Sequence, residues 1–449
     1  MSVAGGKTWC VAGGGMLGMT LALRLARAGR RVTLIEASDR LGGLADAWQV
    51  GGLTWDRHYH VTLLSDRHLR GLIGELGLDD ALRWTTTRTE FFDGHAFHPL
   101  DNALDYIRFP LLGIVDKARL AGTILYAARI SDGRPLERES VEAWLTRLSG
   151  PRTWARLWQP LLRAKLGENW RHASAAFIWA VIRRLYAARR SGLKTEMFGY
   201  IDGGYQRLNA VFAERLAAEG VEIVTGQAVQ EVASSAGRHT VRLAGATREF
   251  DCVVVTAPPA IAARLCTGLT AAEVAERSSL LYQGIVCVSL VVRRPLHGAY
   301  LTYIADPAIA CTAVIEMSAL TGTARFGGNS LVYLPRYVAS DDPLFEHPDA
   351  EIEADARRAL LAMYPELDAS DIIAARVSRV RHVLPIATKG YSDALPTIAT
   401  SQAGLYLVNS SHIVNGTLNV NETIKLADEA MAILLGRDAA PAPMREHVA

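Results

Sequence analysis

The sequence predicts an α/β protein with two domains, a parallel-sheet domain and an α+β domain inserted into it. A short apolar strand, a glycine turn, a helix and a second buried strand follow one another within residues 8–36, as in the first half of a doubly wound sheet. Patterns of the same kind return at residues 208–256 and 404–435. The chain has 449 residues, more than one hydrophobic core usually organises. We therefore expect both domains to be discontinuous.

The domain boundaries follow from where the sheet-type patterns stop and resume. We place the sheet domain at residues 1–75, 200–265 and 395–437, and the second domain at residues 76–199 and 266–394. Residues 66–200 are expected to be largely helical, with prolines between the segments. Apolar runs predict strands of a second sheet at residues 285–292, 300–304, 311–316 and 330–335.

The composition indicates a globular protein without a large nucleic-acid-binding surface. Half of the residues are hydrophobic, and 48 Lys and Arg against 46 Asp and Glu leave a net charge of +2. The five cysteines form no C-x-x-C pair, so we interpret them as small buried residues rather than disulfide or metal ligands. The N-terminus lacks the apolar core of a signal peptide, and no apolar run reaches the roughly 18 residues of a membrane span. We expect a cytoplasmic protein.

Residues Gly13-Gly14-Gly15-Met16-Leu17-Gly18 have the spacing G-x-G-x-x-G between a strand and a helix. In such a turn Gly13 permits the sharp change of direction, Gly15 lets the backbone approach a pyrophosphate, and Gly18 lets the helix pack closely on the strand. The free N–H groups and the dipole at the start of the helix then favour phosphate. The motif predicts dinucleotide binding.

Glu36 ends the second strand, eighteen residues after Gly18. A carboxylate at this place can accept both ribose hydroxyls, and its charge would repel a 2′-phosphate, which disfavours NADP. The alternative is a glycine-rich strand–helix turn that carries an exposed glutamate and binds no ligand.

The run Glu36-Ala37-Ser38-Asp39-Arg40-Leu41-Gly42-Gly43 resembles the E-x-x-x-R-x-G-G extension of a large FAD-dependent superfamily. That superfamily holds amine oxidases, protoporphyrinogen oxidases and phytoene-desaturase-like flavoproteins. The resemblance implies that Arg40 and the Gly42-Gly43 backbone contact the FAD diphosphate. It also implies a Rossmann-like FAD-binding domain of the glutathione-reductase-2 type and a discontinuous α+β substrate domain.

Two later segments extend the resemblance. The segment from Gly203 to Val229 is similar to the family's central region, in which the backbone at Val229 pairs with adenine. The loop around Thr417 and the helix after it are similar to the last FAD motif, where a helix N-terminus faces the flavin. The residues expected to contact FAD are Gly13, Gly15, Met16, Leu17, Gly18, Glu36, Ala37, Arg40, Gly42, Gly43, Leu44, Val229, Ser410, Thr417, Leu418 and Asn419.

The sequence departs from the family pattern at two places. Leu44 stands where many members have Arg after the glycine pair, and Asn409-Ser410 stands where the last motif usually has Gly-Asp. The second change removes a carboxylate, although Asn and Ser still offer hydrogen bonds. We expect FAD binding to persist with altered contacts.

The candidates for catalysis are His58, Tyr59 and His60. Together with Asp56, this segment is similar to a D-x-G-x-H segment that lies beside the flavin in the family. A neutral imidazole there would accept a proton or orient the substrate. The alternative is that these residues brace the FAD-binding loop. H-x-H also suits a metal, but no further ligands accompany it, so we expect no metal site.

Two basic segments suggest further contacts. Arg163 and Lys165 would bind an acidic substrate group, or else belong to a solvated helix face. The amphipathic helix predicted at residues 173–190 would give peripheral membrane contact, or else pack inside the protein. Arg190, the last residue of this predicted helix, lies outside the residues that the structure describes.

Three functions fit the sequence. The first is an FAD-dependent dehydrogenase, desaturase or oxidase that removes hydride from a C–C or C–N bond of a hydrophobic small molecule, with flavin N5 as acceptor. The second is a non-redox flavoenzyme similar to the UDP-galactopyranose mutases. The third is an escort-type binding protein of the same fold without flavin, which the intact glycine motif and Glu36 disfavour. The oligomeric state is left open.

Overall fold

The computed structural model describes residues 6–189, 197–235, 237–306 and 308–436. The strands, in chain order, are β1 (Thr8–Ala12), β2 (Arg31–Ile35), β3 (Ala47–Val50), β4 (Leu53–Asp56), β5 (Thr62–Leu63), β6 (Leu82–Thr86), β7 (Thr89–Phe92), β8 (Phe97–Pro99), β9 (Met197–Ile201), β10 (Glu222–Val224), β11 (Val229–Ser235), β12 (Arg238–Leu243), β13 (Ala246–Phe250), β14 (Cys252–Val255), β15 (Tyr282–Val292), β16 (Leu301–Ile304), β17 (Ala313–Glu316), β18 (Ser330–Ala339), β19 (Ile372–Pro385) and β20 (Leu405–Leu407).

The α-helices, in chain order, are α1 (Met16–Arg27), α2 (Arg67–Glu75), α3 (Ala103–Arg108), α4 (Ile114–Arg129), α5 (Val141–Ser149), α6 (Pro151–Thr153), α7 (Gln159–Leu166), α8 (Ala175–Arg189), α9 (Gly204–Ala218), α10 (Pro259–Leu265), α11 (Ala271–Ser278), α12 (Met317–Thr321), α13 (Asp349–Met363) and α14 (Val420–Leu434). A π-helical turn, Trp154–Trp158, joins α6 to α7. None of the described helices is long and apolar enough to cross a bilayer.

A five-stranded parallel sheet has the order β10-β2-β1-β14-β20. Its central strands are buried on both faces, because their side chains alternate between two cores. Trp9 and Val11 of β1 face a core shared with α1, α2, α9 and α14, whereas Cys10 and Ala12 face a core shared with the antiparallel sheet β11-β12-β13. The carboxyl ends of β1 and β2 therefore meet at one edge, beside the glycine turn.

A seven-stranded sheet has the order β19-β15-β18-β17-β16-β7-β8 and is antiparallel except between β16 and β7. Strand β15 is buried along its whole length. Val286, Val288 and Leu290 pack towards α13, whereas Ile285 and Cys287 pack with Trp55 and Phe326 on the opposite face. Helices α4 to α8 surround a third core, with Trp144 and Trp179 fully buried.

The expectation that residues 66–200 are largely helical is wrong in part. Strands β6, β7, β8 and β9 lie in this region, and β7 pairs with β16 about 210 residues later, a contact that no local pattern can show. The strands expected at residues 285–292, 300–304, 311–316 and 330–335 are present as β15, β16, β17 and β18. All five cysteines are free and buried, as predicted.

Candidate functional site

The glycine turn joins β1 to α1 at the carboxyl edge of the parallel sheet, and each predicted glycine occupies a different environment. Gly13 has φ +117°, and a Cβ there would lie 2.2 Å from Thr256 Oγ1. A Cβ on Gly18 would lie 1.8 Å from the Gly13 carbonyl oxygen, so close helix–strand packing requires glycine there. A Cβ on Gly15 would meet only Gly43 Cα, at 3.8 Å, within the described chain. The protein's own packing therefore does not require glycine at position 15, which fits a ligand approaching at this point.

The start of α1 is left open to an anion. Within the described residues α1 has no side-chain cap and no acidic residue in its first turn, which contains Met16 and Leu17. The N–H groups at such an end are unsatisfied and carry partial positive charge. The turn therefore offers the donors that a diphosphate accepts.

Glu36 lies directly against this turn. Its Oε2 accepts the Gly14 N–H at 2.6 Å, and its Oε1 accepts the Ser38 N–H at 2.8 Å. Each oxygen keeps a further lone pair for a ribose hydroxyl. The Glu36 carbonyl also accepts the Gln227 N–H at 3.0 Å, which brings the segment leading into Val229 beside Glu36. Ala37 is exposed at the same edge.

The second glycine pair is joined to the first turn. The Gly42 N–H donates to the Gly14 carbonyl at 2.9 Å, and Gly15 and Gly42 form a parallel bridge. Gly42 has φ +126°, and a Cβ there would lie 2.4 Å from Asn209 Nδ2. Leu44 follows in a short 3-10 turn. The Arg40 side chain is half-exposed, and its Nη2 lies 3.3 Å from Asp46 Oδ2.

Two residues that were not predicted from the sequence also contact the second glycine turn. Arg57 donates to the Gly43 carbonyl at 3.0 Å, and Asn209 donates to the Ala45 carbonyl at 2.9 Å. Arg57 Nε and Asn209 Oδ1 are buried without a hydrogen-bond partner among the described residues. Buried polar atoms are rarely left unpaired, so this donor and this acceptor fit a polar ligand. Burial lowers the pKa of Arg57, and the neighbouring Asp46 raises it.

The last predicted motif is a loop between β20 and α14. Asn419 caps α14: its side chain accepts the Glu422 N–H at 3.0 Å and donates to the Thr417 carbonyl at 2.7 Å. The polar atoms of the Asn419 side chain therefore form hydrogen bonds within the loop and the helix start. A ligand here would contact the backbone at Leu418 instead. Ser410 Oγ lies 3.1 Å from the Tyr282 hydroxyl. The buried Asn409 side chain accepts the Ser411 hydroxyl at 2.6 Å, so the pair that replaces Gly-Asp is held by its own surroundings.

His58 and His60 are held as neutral imidazoles. His58 is buried with Nδ1 3.4 Å from the Leu44 carbonyl and Nε2 3.0 Å from Ser378 Oγ, and burial lowers its pKa to about 3. His60 packs on the Tyr205 ring at 4.8 Å, and burial lowers its pKa to about 4. Such groups accept protons poorly near neutral pH. The His58 contacts match the bracing role more closely than proton transfer, and the two rings face different partners.

Tyr59 has different contacts. Its hydroxyl lies 2.8 Å from that of Tyr337, which accepts a hydrogen bond from Lys165 Nζ at 2.6 Å. The same ammonium lies 3.9 Å from the centre of the Tyr337 ring. Arg163 points elsewhere and pairs with Glu168 at the surface. Of the two cations that the sequence singled out, only Lys165 reaches the segment of His58, Tyr59 and His60.

An apolar pocket borders the last motif. It is lined by residues from α8, β19 and the loop before α14, namely Phe177, Leu384, Pro385, Ala387, Tyr391, Ile413, Gly416, Thr417 and Leu418. The buried residues of α8 include Phe177, Ile178 and Trp179, so the apolar face of this helix packs inside the protein.

The family is decided by comparison with known sequences. The profile of the flavin containing amine oxidoreductases matches residues 17–420. The chain belongs to this family. It is an FAD-dependent oxidoreductase, and its mixed α/β sheets form the flavoprotein fold of the family. Membership of a flavin-containing enzyme family decides against an escort protein without flavin.

A curated relative and two solved structures are similar to the chain. Coproporphyrinogen III oxidase of Mycobacterium tuberculosis is 26% identical over 442 residues, which cover 89% of this chain and 93% of the relative. Putrescine oxidase bound to putrescine has a TM-score of 0.73 at 17% identity and covers 96% of this chain and 99% of its own. Reduced UDP-galactopyranose mutase also has a TM-score of 0.73, at 16% identity, and covers 96% of this chain and 94% of its own. Fold alone does not separate oxidase from mutase, whereas the family match supports an oxidoreductase.

Proposed function

We propose that this oxidoreductase removes hydride from a C–C or C–N bond of a hydrophobic small molecule that contacts the small apolar pocket beside Leu418. The pocket carries the proposal. Its lining is aliphatic and aromatic, and it directly adjoins the loop whose backbone we assign to the flavin end of FAD. Apolar pockets with few polar groups are typical of hydrophobic ligands. FAD, when bound, supplies a hydride acceptor at N5.

The chain's own residues would bind and orient the substrate. Phe177 and Leu384 present apolar surface from opposite elements and exclude water from the bond that is oxidised. Val383, beside Leu384, packs against the same core as Tyr59 and Tyr337. We assign the array of Lys165, Tyr337 and Tyr59 to a polar or anionic group at one end of the substrate.

We also propose which residues contact each part of FAD. We assign the diphosphate to the turn from Gly13 to Gly18 and to Gly42 and Gly43, with Arg57 and Arg40 as cations. The ribose is assigned to Glu36, and adenine to the backbone at Val229. When the five strands of the parallel sheet are numbered along the chain, they lie side by side as 3-2-1-4-5. This is the strand order of a Rossmann-like domain. This order supports the glutathione-reductase-2 type and the domain boundaries drawn above.

The test is anaerobic mixing of FAD-loaded protein with a substrate panel while the flavin absorbance is followed. The panel contains coproporphyrinogen III, putrescine and an isoprenoid polyene. We expect at least one hydrophobic substrate to bleach the flavin, and an Ala387→Phe variant, which fills the pocket, to slow the bleaching of that substrate. An Ile433→Phe variant at a partly exposed site on α14 is the control. An unchanged spectrum across the panel would contradict the proposal. Turnover only with prereduced flavin, without consumption of reductant, would select a mutase.

A further inference from the structure

Helices α3 and α4 carry six large exposed apolar side chains. The members of this set, which we call the α3–α4 surface, are Leu104, Ile107, Ile114, Val115, Leu125 and Tyr126. Their exposed fractions are 49%, 66%, 87%, 72%, 43% and 50%. Large aliphatic side chains are seldom this exposed in a cluster, and such patches mark sites of interaction. We propose that the α3–α4 surface docks on an anionic lipid bilayer.

The orientation of α4 is set by its inner face. Leu120, Thr123 and Ala127 are buried, and the Ala127 carbonyl accepts a hydrogen bond from the Trp179 indole of α8 at 3.1 Å. Ala118 and Ala121 are exposed between Ile114 and Leu125, so a second apolar stripe runs along the outer face at helical spacing. An exposed apolar stripe in addition to a buried inner face marks a site for an apolar partner. The inner face is satisfied by α8, and the outer face is the one that would enter the lipid.

The charge around this surface is positive. Residues 103–129, which span α3 and α4, contain four Lys and Arg but two Asp and Glu. Both acids, Asp105 and Asp116, accept backbone N–H groups at the starts of α3 and α4. The acids nearest the surface are therefore engaged in helix capping.

Three cations near the surface donate hydrogen bonds to backbone carbonyls. Lys117 donates to the Ile107 carbonyl, Arg119 to that of Leu148, and Arg156 to that of Leu111. Within the described part of the chain, none of the three forms a salt bridge with Asp or Glu. Their remaining N–H groups are available to phosphate. Apolar side chains bordered by cations are the combination that binds anionic membrane surfaces.

The charge pattern disfavours a second copy of the chain as the occupant. A symmetric contact through the α3–α4 surface would place like cations opposite one another, which repels. An anionic bilayer accepts the apolar side chains into its acyl boundary and places headgroup phosphates against the cations. The surface lies on α3 and α4, not on α8, the helix for which the sequence raised membrane contact. The inference does not depend on which substrate is oxidised.

The experiment measures co-sedimentation of the FAD-loaded full chain with vesicles. Vesicles of phosphatidylcholine with phosphatidylglycerol are compared with vesicles of phosphatidylcholine alone. We expect binding to the anionic vesicles that weakens with salt. The triple variant Ile107→Ser/Ile114→Ser/Val115→Ser should lose at least about tenfold in partitioning, and Lys117→Gln/Arg156→Gln should lose the anionic preference.

The matched control is Ile373→Ser/Ile433→Ser, which changes two other partly exposed isoleucines (41% and 47%) and should bind as the wild type does. Flavin spectrum and melting temperature establish that every variant is folded. Absence of binding to anionic vesicles at low salt would overturn the proposal, as would equal binding by the triple variant. A dimer that the triple variant dissociates would assign the surface to a second copy and would also overturn it. Each outcome is independent of flavin bleaching by substrate, so this proposal and the proposed function fail separately.

Discussion

The carboxylate of Asp56 accepts the backbone N–H of Tyr205 at 2.7 Å, across 149 residues of sequence. Asp56 ends β4, and Tyr205 lies in the first turn of α9, which has no side-chain cap of its own within the described residues. A Cβ on Gly204 would lie 2.8 Å from the same carboxylate oxygen. The Asp56 carboxylate therefore holds the start of α9, and it lies so close to position 204 that only glycine fits there. Burial raises the pKa of Asp56 to about 7.

Replacement of Asp56 by Asn should change how stability depends on pH. The folded-state pKa lies above the ordinary value near 3.8, so the folded protein holds the proton more tightly than the unfolded chain. The wild type should therefore lose stability as pH rises from about 4 to about 7, by at most roughly 4 kcal/mol. Asn keeps an acceptor for the Tyr205 N–H and has no proton to lose. The stability of Asp56→Asn relative to wild type should rise over this pH range, as measured by denaturant unfolding. A pH-independent difference between the two proteins would contradict the prediction.

His58 should produce a dependence in the opposite direction. Its folded-state pKa of about 3 lies below the ordinary value of 6.5, so the unfolded chain binds the proton more tightly. The stability contributed by neutral His58 should be complete above pH 6.5 and should fall as pH drops towards 3. A His58→Gln variant should lose less stability than wild type between pH 6.5 and 4, whereas the exposed control His95→Gln should follow wild type. Identical acid profiles for His58→Gln and wild type would show that His58 does not carry this effect.

Two glycines of the first turn should respond differently to alanine. Gly15→Ala has room within the protein, so the FAD-free form should keep its melting temperature within a few degrees. Its FAD affinity should fall about tenfold or more, because the new methyl group would occupy the approach to the diphosphate. Gly18→Ala would place Cβ against the Gly13 carbonyl and should destabilise even the FAD-free form. Titration of FAD and thermal melts of both forms separate the two effects. Equal loss of melting temperature in both variants would contradict the assignment.

Arg57 should matter more to FAD than Arg40. Arg57 is partly buried at Gly43, and its Nε has no hydrogen-bond partner among the described residues, whereas the Arg40 side chain is 53% exposed and its charge is screened by solvent. Arg57→Gln should therefore weaken FAD binding about tenfold or more, and Arg40→Gln should have a smaller effect that decreases further with salt. Equilibrium dialysis at two ionic strengths measures both. A larger effect at Arg40 would place the diphosphate nearer the surface than we propose.

Lys165 and Arg163 form a matched pair on α7. Lys165→Met removes the ammonium that contacts Tyr337, whereas Arg163→Met removes only a surface ion pair. For an anionic substrate, Lys165→Met should lower kcat/KM about tenfold and Arg163→Met should leave it nearly unchanged. A neutral analogue should not distinguish the variants. Equal effects on charged and neutral substrates would indicate that Lys165 supports the fold instead.

The sequence by itself determined the FAD cofactor and the parallel sheet. The turn from Gly13 to Gly18, the strand that ends at Glu36 and the Gly42-Gly43 pair are local patterns, because each depends on residues close together in the chain. The structure places these three segments against one another. Strands β15 to β18 of the second sheet were predictable for the same reason, since burial in a sheet leaves runs of apolar residues.

Only the tertiary structure decided which side chains gather around those patterns. Arg57 and Asn209 meet at the second glycine turn from positions 152 residues apart, and Lys165 reaches Tyr59 through Tyr337 of a third segment. His58 lies between the Leu44 carbonyl and the hydroxyl of Ser378, 320 residues away. Strand β7 was missed because its partner β16 lies far along the chain. These arrangements depend on long-range packing and burial, and neither quantity is encoded by the spacing of neighbouring residues.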